Sequence, residues 1–313
     1  MAVEVTRPDE VETTVSEREH EPAATLRLSC GRRFSYATYG AADGHPVIAL
    51  HGTPGSHLKF KAAAEAALAH RLKLIALDRW AYGKTDVPSK PSLAGFAADV
   101  SELADLLKLD RFAVLGISGG GPYAAAVAAN HGYRVTASAL VSPVGPIEGV
   151  TPRPQLGIYH HTAFRILPRL PGVLPVAFGL LRQVAKRSPR LATQIAAGRA
   201  RGADRAIARD AVFAINLGNT FAEGLRSSAR GPVIDMTLFS RPWNINLAAT
   251  IAPSQVWIGD EDRNVPLAAV DALLEALANA PAKPAVIRLS GHGHFWIARN
   301  FASVLGWIAR ENR

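Results

Sequence analysis

Short apolar runs alternating with alanine-rich stretches constrain this chain more than any other feature. The runs at 47–50, 72–77, 112–117, 135–141, 255–258 and 286–289 are rich in Val, Ile and Leu and bounded by polar residues or glycine, as expected of strands covered on both faces. Helical patterns at 57–70, 93–107, 122–130, 266–278 and 295–310 lie between most of them. Such alternation predicts an α/β fold: a mostly parallel sheet with helices on both faces and right-handed crossovers. Two earlier runs, 25–29 and 32–39, are close enough to form an antiparallel hairpin at the sheet edge, giving eight strands. Between 145 and 245 the alternation fails, and helix-like segments broken by prolines and arginines take its place. The expected organisation is a flexible acidic tail at 1–22, a first core part at 23–145, a helical insertion at 146–245 and a second core part at 246–313.

Composition narrows the classes. A chain of 313 residues with 48% hydrophobic and 19% charged residues buries a large core and is far from the disordered class. Its one cysteine, Cys30, excludes an internal disulfide and cysteine-pair zinc sites, and fits a reducing, cytoplasmic setting. Residues 1–22 hold seven acids and two arginines, unlike a secretory signal. The longest apolar stretch, 170–181, is 12 residues long and contains Pro171 and Pro175, against about 20 apolar residues for a transmembrane helix. The net charge of +9 is uneven, because residues 145–245 carry fourteen Arg and Lys against five acids. Such a region suits anionic substrates, acidic lipid headgroups or plain solubility. No nucleic-acid signature accompanies it.

The chemistry is concentrated in a few segments. The run 112–117 leads into Gly116-Ile117-Ser118-Gly119-Gly120, and Pro122 opens a helical stretch. In a strand, tight turn and helix carrying GxSxG, the serine is held on a strained bend with its hydroxyl above the strand ends, and the following amides face a developing oxyanion. The same stretch reads Gly119-Gly120-Gly121-Pro122-Tyr123-Ala124, a dinucleotide-like fingerprint, but the next strand ends Leu140-Val141-Ser142-Pro143 without the acid that would hold a ribose. Gly83-Lys84-Thr85 imitates the end of a phosphate loop, with Asp78 where the first glycine belongs. A nucleophilic serine needs a base, and the base needs an orienting carboxylate. Candidates follow the last two strands: Asp260 and Asp262 in Gly259-Asp260-Glu261-Asp262, and His292 and His294 in Gly291-His292-Gly293-His294.

Together with His51-Gly52-Thr53-Pro54-Gly55 and Asp78-Arg79-Trp80-Ala81-Tyr82-Gly83, these segments resemble the five motif regions of the α/β-hydrolase superfamily, in the order Ser, Asp, His. The resemblance implies an eight-stranded α/β-hydrolase sheet, a helical cap at the insertion and a nucleophile elbow at Ser118. By motif position it implies Ser118, Asp262 and His294 as catalytic residues, with Asp260 and His292 as the nearest competitors, and the amides of Thr53 and Gly119 as the oxyanion hole. His51, Asp78 and Arg79 then read as structural. Many relatives place an acid shortly after the histidine, whereas here Ile297-Ala298-Arg299-Asn300 follows. Epoxide hydrolases and haloalkane dehalogenases resemble the chain but place aspartate at the position of Ser118. The epoxide enzymes also use paired cap tyrosines, and this insertion has only Tyr159. Proline iminopeptidases share a Thr-Pro-Gly segment but use cap acids, in which this insertion is poor.

The resulting expectation is a serine hydrolase for a carboxylic ester, lactone or thioester of a small or medium-sized acyl compound, apolar or anionic, with no metal or organic cofactor. A C-C bond hydrolase or a cofactor-free perhydrolase or haloperoxidase stays open on the same fold, as does a non-catalytic receptor. Oligomeric state is left open.

Overall fold

The computed structural model describes residues 23–150 and 153–312; the acidic tail at 1–22 lies outside them. All eight expected strands form: β1 (Ala24–Arg27), β2 (Arg33–Gly40), β3 (His45–Leu50), β4 (Leu72–Leu77), β5 (Phe112–Ile117), β6 (Val135–Val141), β7 (Ser254–Gly259) and β8 (Ala285–Leu289). They build one sheet in the order β1-β2-β4-β3-β5-β6-β7-β8. The β1–β2 hairpin and the β2–β4 pair are antiparallel and every other pairing is parallel. The helices are α1 (Ala64–Ala69), α2 (Leu93–Leu106), α3 (Gly121–Asn130), α4 (Gly157–His161), α5 (Val173–Arg187), α6 (Pro189–Ala196), α7 (Gly202–Arg209), α8 (Ala211–Gly224), α9 (Arg230–Phe239), α10 (Leu267–Leu277) and α11 (Phe301–Glu311).

The near-continuous apolar strands are explained by two cores. Side chains alternate across a strand, so Ile48, Leu50 and Val114 enter one cluster with α2, α3 and α10. Val47, Ala49, Ala113 and Leu115 enter the other, with α1 and α11. Two expected helices are divided. The stretch 57–70 opens as a 3₁₀ turn, His57–Ala63, whose buried residues His57, Phe60 and Ala63 recur every third position, the period of that helix. The stretch 295–310 opens as a 3₁₀ turn, Trp296–Arg299, before α11.

Chain order reverses at β3. The chain passes from β3 to β4 on one side and later returns to β5 on the other. In open α/β sheets such a reversal leaves a crevice beyond the carboxyl ends of the two strands, and the loops after β3 and β5 are those carrying Thr53 and Ser118. The stretch 146–245 is helical, with no strand among the described residues. Ala185 of α5, Ala192 of α6, Ile207 of α7 and Phe221 of α8 pack into their own cluster, which also takes in Phe295 from the loop after β8.

Candidate active site

Ser118 begins the turn between β5 and α3 with φ of +54°. This left-handed conformation is rare for a residue with a side chain and is held only where the surroundings enforce it. The flanking glycines allow the bend: a Cβ on Gly116 would lie 2.6 Å from the Gly120 carbonyl, and one on Gly120 2.2 Å from that of Leu50. The turn therefore seats against the end of β3.

On the far side, the loop after β8 brings in His294. Its Nδ1–H donates to Asp262 Oδ2 at 2.8 Å, and both residues are buried. The other oxygen, Asp262 Oδ1, accepts the amides of Asn264 and Val265 at 2.8 and 3.0 Å, so the carboxylate cannot swing away. The competitors lie elsewhere. Asp260 accepts the Gly291 amide at 2.8 Å, His292 Nδ1–H donates to the Ser290 carbonyl, and both contacts are exposed. Ser118 and His294 line one cavity of about 370 Å³, with no hydrogen bond between them.

Thr53 and Gly119 lie side by side. A Cβ on Gly119 would fall 2.1 Å from Thr53 Oγ1 and 3.2 Å from the Thr53 nitrogen, so only glycine permits this approach. Gly119 stands in the first turn of a helical segment, where amides lack intrahelical acceptors. The loop bearing Thr53 is braced by two buried residues, His51 and Arg79. His51 Nε2 accepts the Arg79 amide at 3.1 Å, and its Nδ1 lies 2.8 Å from the Gly52 carbonyl. An amide only donates and a carbonyl only accepts, which fixes the neutral tautomer with the proton on Nδ1. Burial, with the Arg79 charge beside it, lowers the His51 pKa to about 3. Arg79 donates to the carbonyls of His51 and Gly52 and to Thr53 Oγ1.

Two residues that sequence reasoning missed complete the frame, both from the helical stretch. Asp235 on α9 is 1% exposed. It accepts both Arg79 guanidinium nitrogens at 2.6 and 2.8 Å, the Tyr82 and Tyr123 hydroxyls at 2.6 Å each, and Thr53 Oγ1 at 2.5 Å. Asp204 on α7 accepts the amides of His294 and Phe295 at 2.6 and 2.8 Å. Burial raises its pKa, with those amides opposing and the neighbouring Asp262 charge adding to the rise. The only sequence signal was an isolated acid in an arginine-rich stretch, which reads equally well as surface charge. Asp78 does brace a loop, as expected: it accepts from the His57 backbone and ring and from Ser35 Oγ. His57, Asp78 and Glu223 also bring three possible metal-ligand atoms within 4.8 Å of one another, though none of the three lines the cavity.

The remaining cavity wall is mostly apolar and comes largely from the helical stretch: Phe164, Leu167, Leu174, Phe178, Leu181 and Phe221. Lys59 lines it too, its ammonium lowered by burial to about 8.

Comparison with known proteins agrees with this architecture. A non-heme chloroperoxidase of Streptomyces lividans is 36% identical over 125 residues, covering 39% of this chain and 45% of that protein, so the chain spans less than half the length of that relative. An α/β hydrolase fold protein from Nakamurella multipartita superposes with a TM-score of 0.66 at 24% identity, covering 93% of this chain and 98% of its own. An esterase from Exiguobacterium antarcticum superposes with a TM-score of 0.65 at 19% identity, covering 92% and 100%. The family model described as alpha/beta hydrolase fold matches residues 45–298, and the chain belongs to that family.

Proposed function

We propose that the protein is a serine hydrolase that cleaves a carboxylic ester, lactone or thioester of a small or medium-sized organic molecule through an acyl-enzyme. One observation carries the reading: Ser118, held at positive φ after β5, opens into the same cavity as a His294 ring already oriented by Asp262. The Ser118 hydroxyl gives its proton to His294 Nε2 as its oxygen bonds to the acyl carbon, and the carbonyl π electrons move onto oxygen. The amides of Thr53 and Gly119 donate to that oxyanion, a contribution of about 3 to 4 kcal/mol for each donor in comparable sites. His294 then passes the proton to the leaving alkoxide or thiolate. Water, deprotonated by the same ring, releases the acid and restores the serine. Asp262 holds the imidazole tautomer and stabilises its charge. A Ser118–His294 hydrogen bond is expected to form on substrate binding, as catalytic contacts tighten in the reacting complex.

The apolar lining supports an apolar acyl or alcohol group, and a cavity near 370 Å³ lies in the usual range for small-molecule sites. Lys59 is its one lysine or arginine and supports acceptance of a substrate carboxylate. A fluorophosphonate probe tests the central claim. Labelling of wild type but not of Ser118→Ala is expected, and a folded wild type that does not label would favour a receptor over an enzyme. A panel of esters, lactones and thioesters then ranks the leaving groups.

A cofactor-free perhydrolase is the second reading, supported by the 36% identity to the non-heme chloroperoxidase. It uses the same three residues, and peracid formation from an organic acid and peroxide separates it from ester cleavage.

A further inference from the structure

The outer surface of α4 to α7 combines two properties that soluble surfaces keep apart. Between Gly157 and Arg209 the chain has ten Arg and Lys and a single acid, Asp204, which is buried against the His294 loop. The exposed part of this stretch therefore carries cations and no carboxylate. It is also apolar: of seventeen large hydrophobic side chains exposed among the described residues, nine fall between Ile158 and Ile195. Val173, Val176 and Leu180 share one face of α5, and Leu191 and Ile195 one face of α6, by their spacing. Ile158 is 90% exposed, Leu180 64% and Val176 63%. No single helix among the described residues is long and apolar enough to cross a membrane. Gly157–Arg169 and Val173–Arg187 are apolar enough together, but they meet at 108°, a shape that can lie in an interface rather than span it.

The cavity exits on this face. Of its lining residues, those that are solvent-exposed are Tyr159, Ala177 and Ala196, which adjoin Ile158, Val176 and Ile195. Beside them, Arg205 and Arg209 follow one ridge of α7 at four-residue spacing, and Arg201 precedes the helix as its N-cap residue. With Arg199 and Arg263 they surround a second cavity of about 540 Å³ whose lining contains no acid. Like charges at that spacing repel, and guanidinium forks match phosphate oxygens.

We propose that this face docks on an anionic lipid bilayer, with the apolar side chains of α5 and α6 entering the headgroup region and the arginines of α7 holding lipid phosphates. The cavity mouth then opens toward the acyl layer. Charge selects this occupant over a second copy of the chain, since a two-fold interface would set these cations against themselves. An apolar, arginine-flanked helical surface is the composition that interfacial binding requires.

Co-sedimentation of the full chain with vesicles of phosphatidylcholine, alone or mixed with phosphatidylglycerol, tests this independently of turnover. Binding is expected only to the mixed vesicles, and is expected to weaken with added salt. Each arginine near such a surface contributes about fivefold to partitioning, or ~1 kcal/mol, so Arg201→Gln with Arg205→Gln should weaken binding by about thirtyfold. Val176→Asp with Leu180→Asp, both outside the cavity lining, should release the protein while hydrolysis of a short soluble ester stays at the wild-type rate. Absence of binding, equal binding to neutral vesicles, or binding indifferent to both double variants overturns the proposal. So does a concentration-dependent dimer that Val176→Asp with Leu180→Asp dissolves, which assigns the face to a second copy. Vesicle binding without ester turnover overturns the catalytic reading and leaves the docking standing.

Discussion

Ser118 can occupy its strained turn because glycines at 116 and 120 let the chain close around it. Alanine tolerates the same backbone nearly as well as serine. Ser118→Ala is therefore expected to remove ester turnover by on the order of 10⁴-fold or more while unfolding stability changes by no more than about 1 to 2 kcal/mol. Paired kinetic and urea measurements check both halves. GxSxG announces this residue in sequence because the constraint is local. Asp204 and Asp235 had no such announcement, since their partners lie 90 and 156 residues away and exist only once the chain has folded. A second residue-scale expectation comes from His57 and Asp78. Burial lowers the His57 pKa, but the Asp78 contact outweighs it and holds the ring above 6.5. Burial likewise opposes ionisation of Asp78, which His57 nonetheless holds below 3.8. The pair stabilises the fold fully between those two values. Its contribution is lost as pH rises through the raised His57 pKa, and again as pH falls through the lowered Asp78 pKa. Urea unfolding midway between them and at about pH 9 should show lower stability at the alkaline point, and His57→Gln should flatten that difference.

At the scale of elements, α6 and α8 approach so closely that a Cβ on Gly218 would lie 1.9 Å from the Pro189 carbonyl. Backbone cannot yield as a flexible side chain does, so Gly218→Ala is expected to separate the helices and cost about 1 to 3 kcal/mol, read as a lower midpoint in chemical unfolding. The strands were legible in the sequence because burial on both faces leaves an uninterrupted apolar run, as in β3 and β5. The stretch 57–70 was only half legible. Its polar residues, Lys59 and Lys61, fit an α-helix as well as the 3₁₀ turn that the buried trio His57, Phe60 and Ala63 selects. The position of α7 beneath His294 could not be read at all, because an eight-residue helix rich in arginine gives no sign of which element it will support.

Over the whole molecule, two sources contribute to the cavity: the strand ends supply Ser118, Thr53 and His294, and the helical stretch supplies most of the apolar wall. Asp235 joins them. Asp235→Ala would strand the Arg79 guanidinium, which is 0% exposed, together with two phenols, at a cost of about 3 to 5 kcal/mol. Asp235→Asn keeps the shape but drops the charge. Both variants are expected to lower thermal stability, and because Thr53 shares the network, kcat should fall more than KM rises; steady-state kinetics at a temperature where the variants remain folded check this. The mostly parallel sheet was legible from its alternation, but this joint was not, since nothing local marks an aspartate as the meeting point of five donors. The joint also bears on transplantation. A helical segment borrowed from a relative to broaden substrate range would have to bring its own acid to the same place, or the graft would loosen the reacting end while reshaping the distant one.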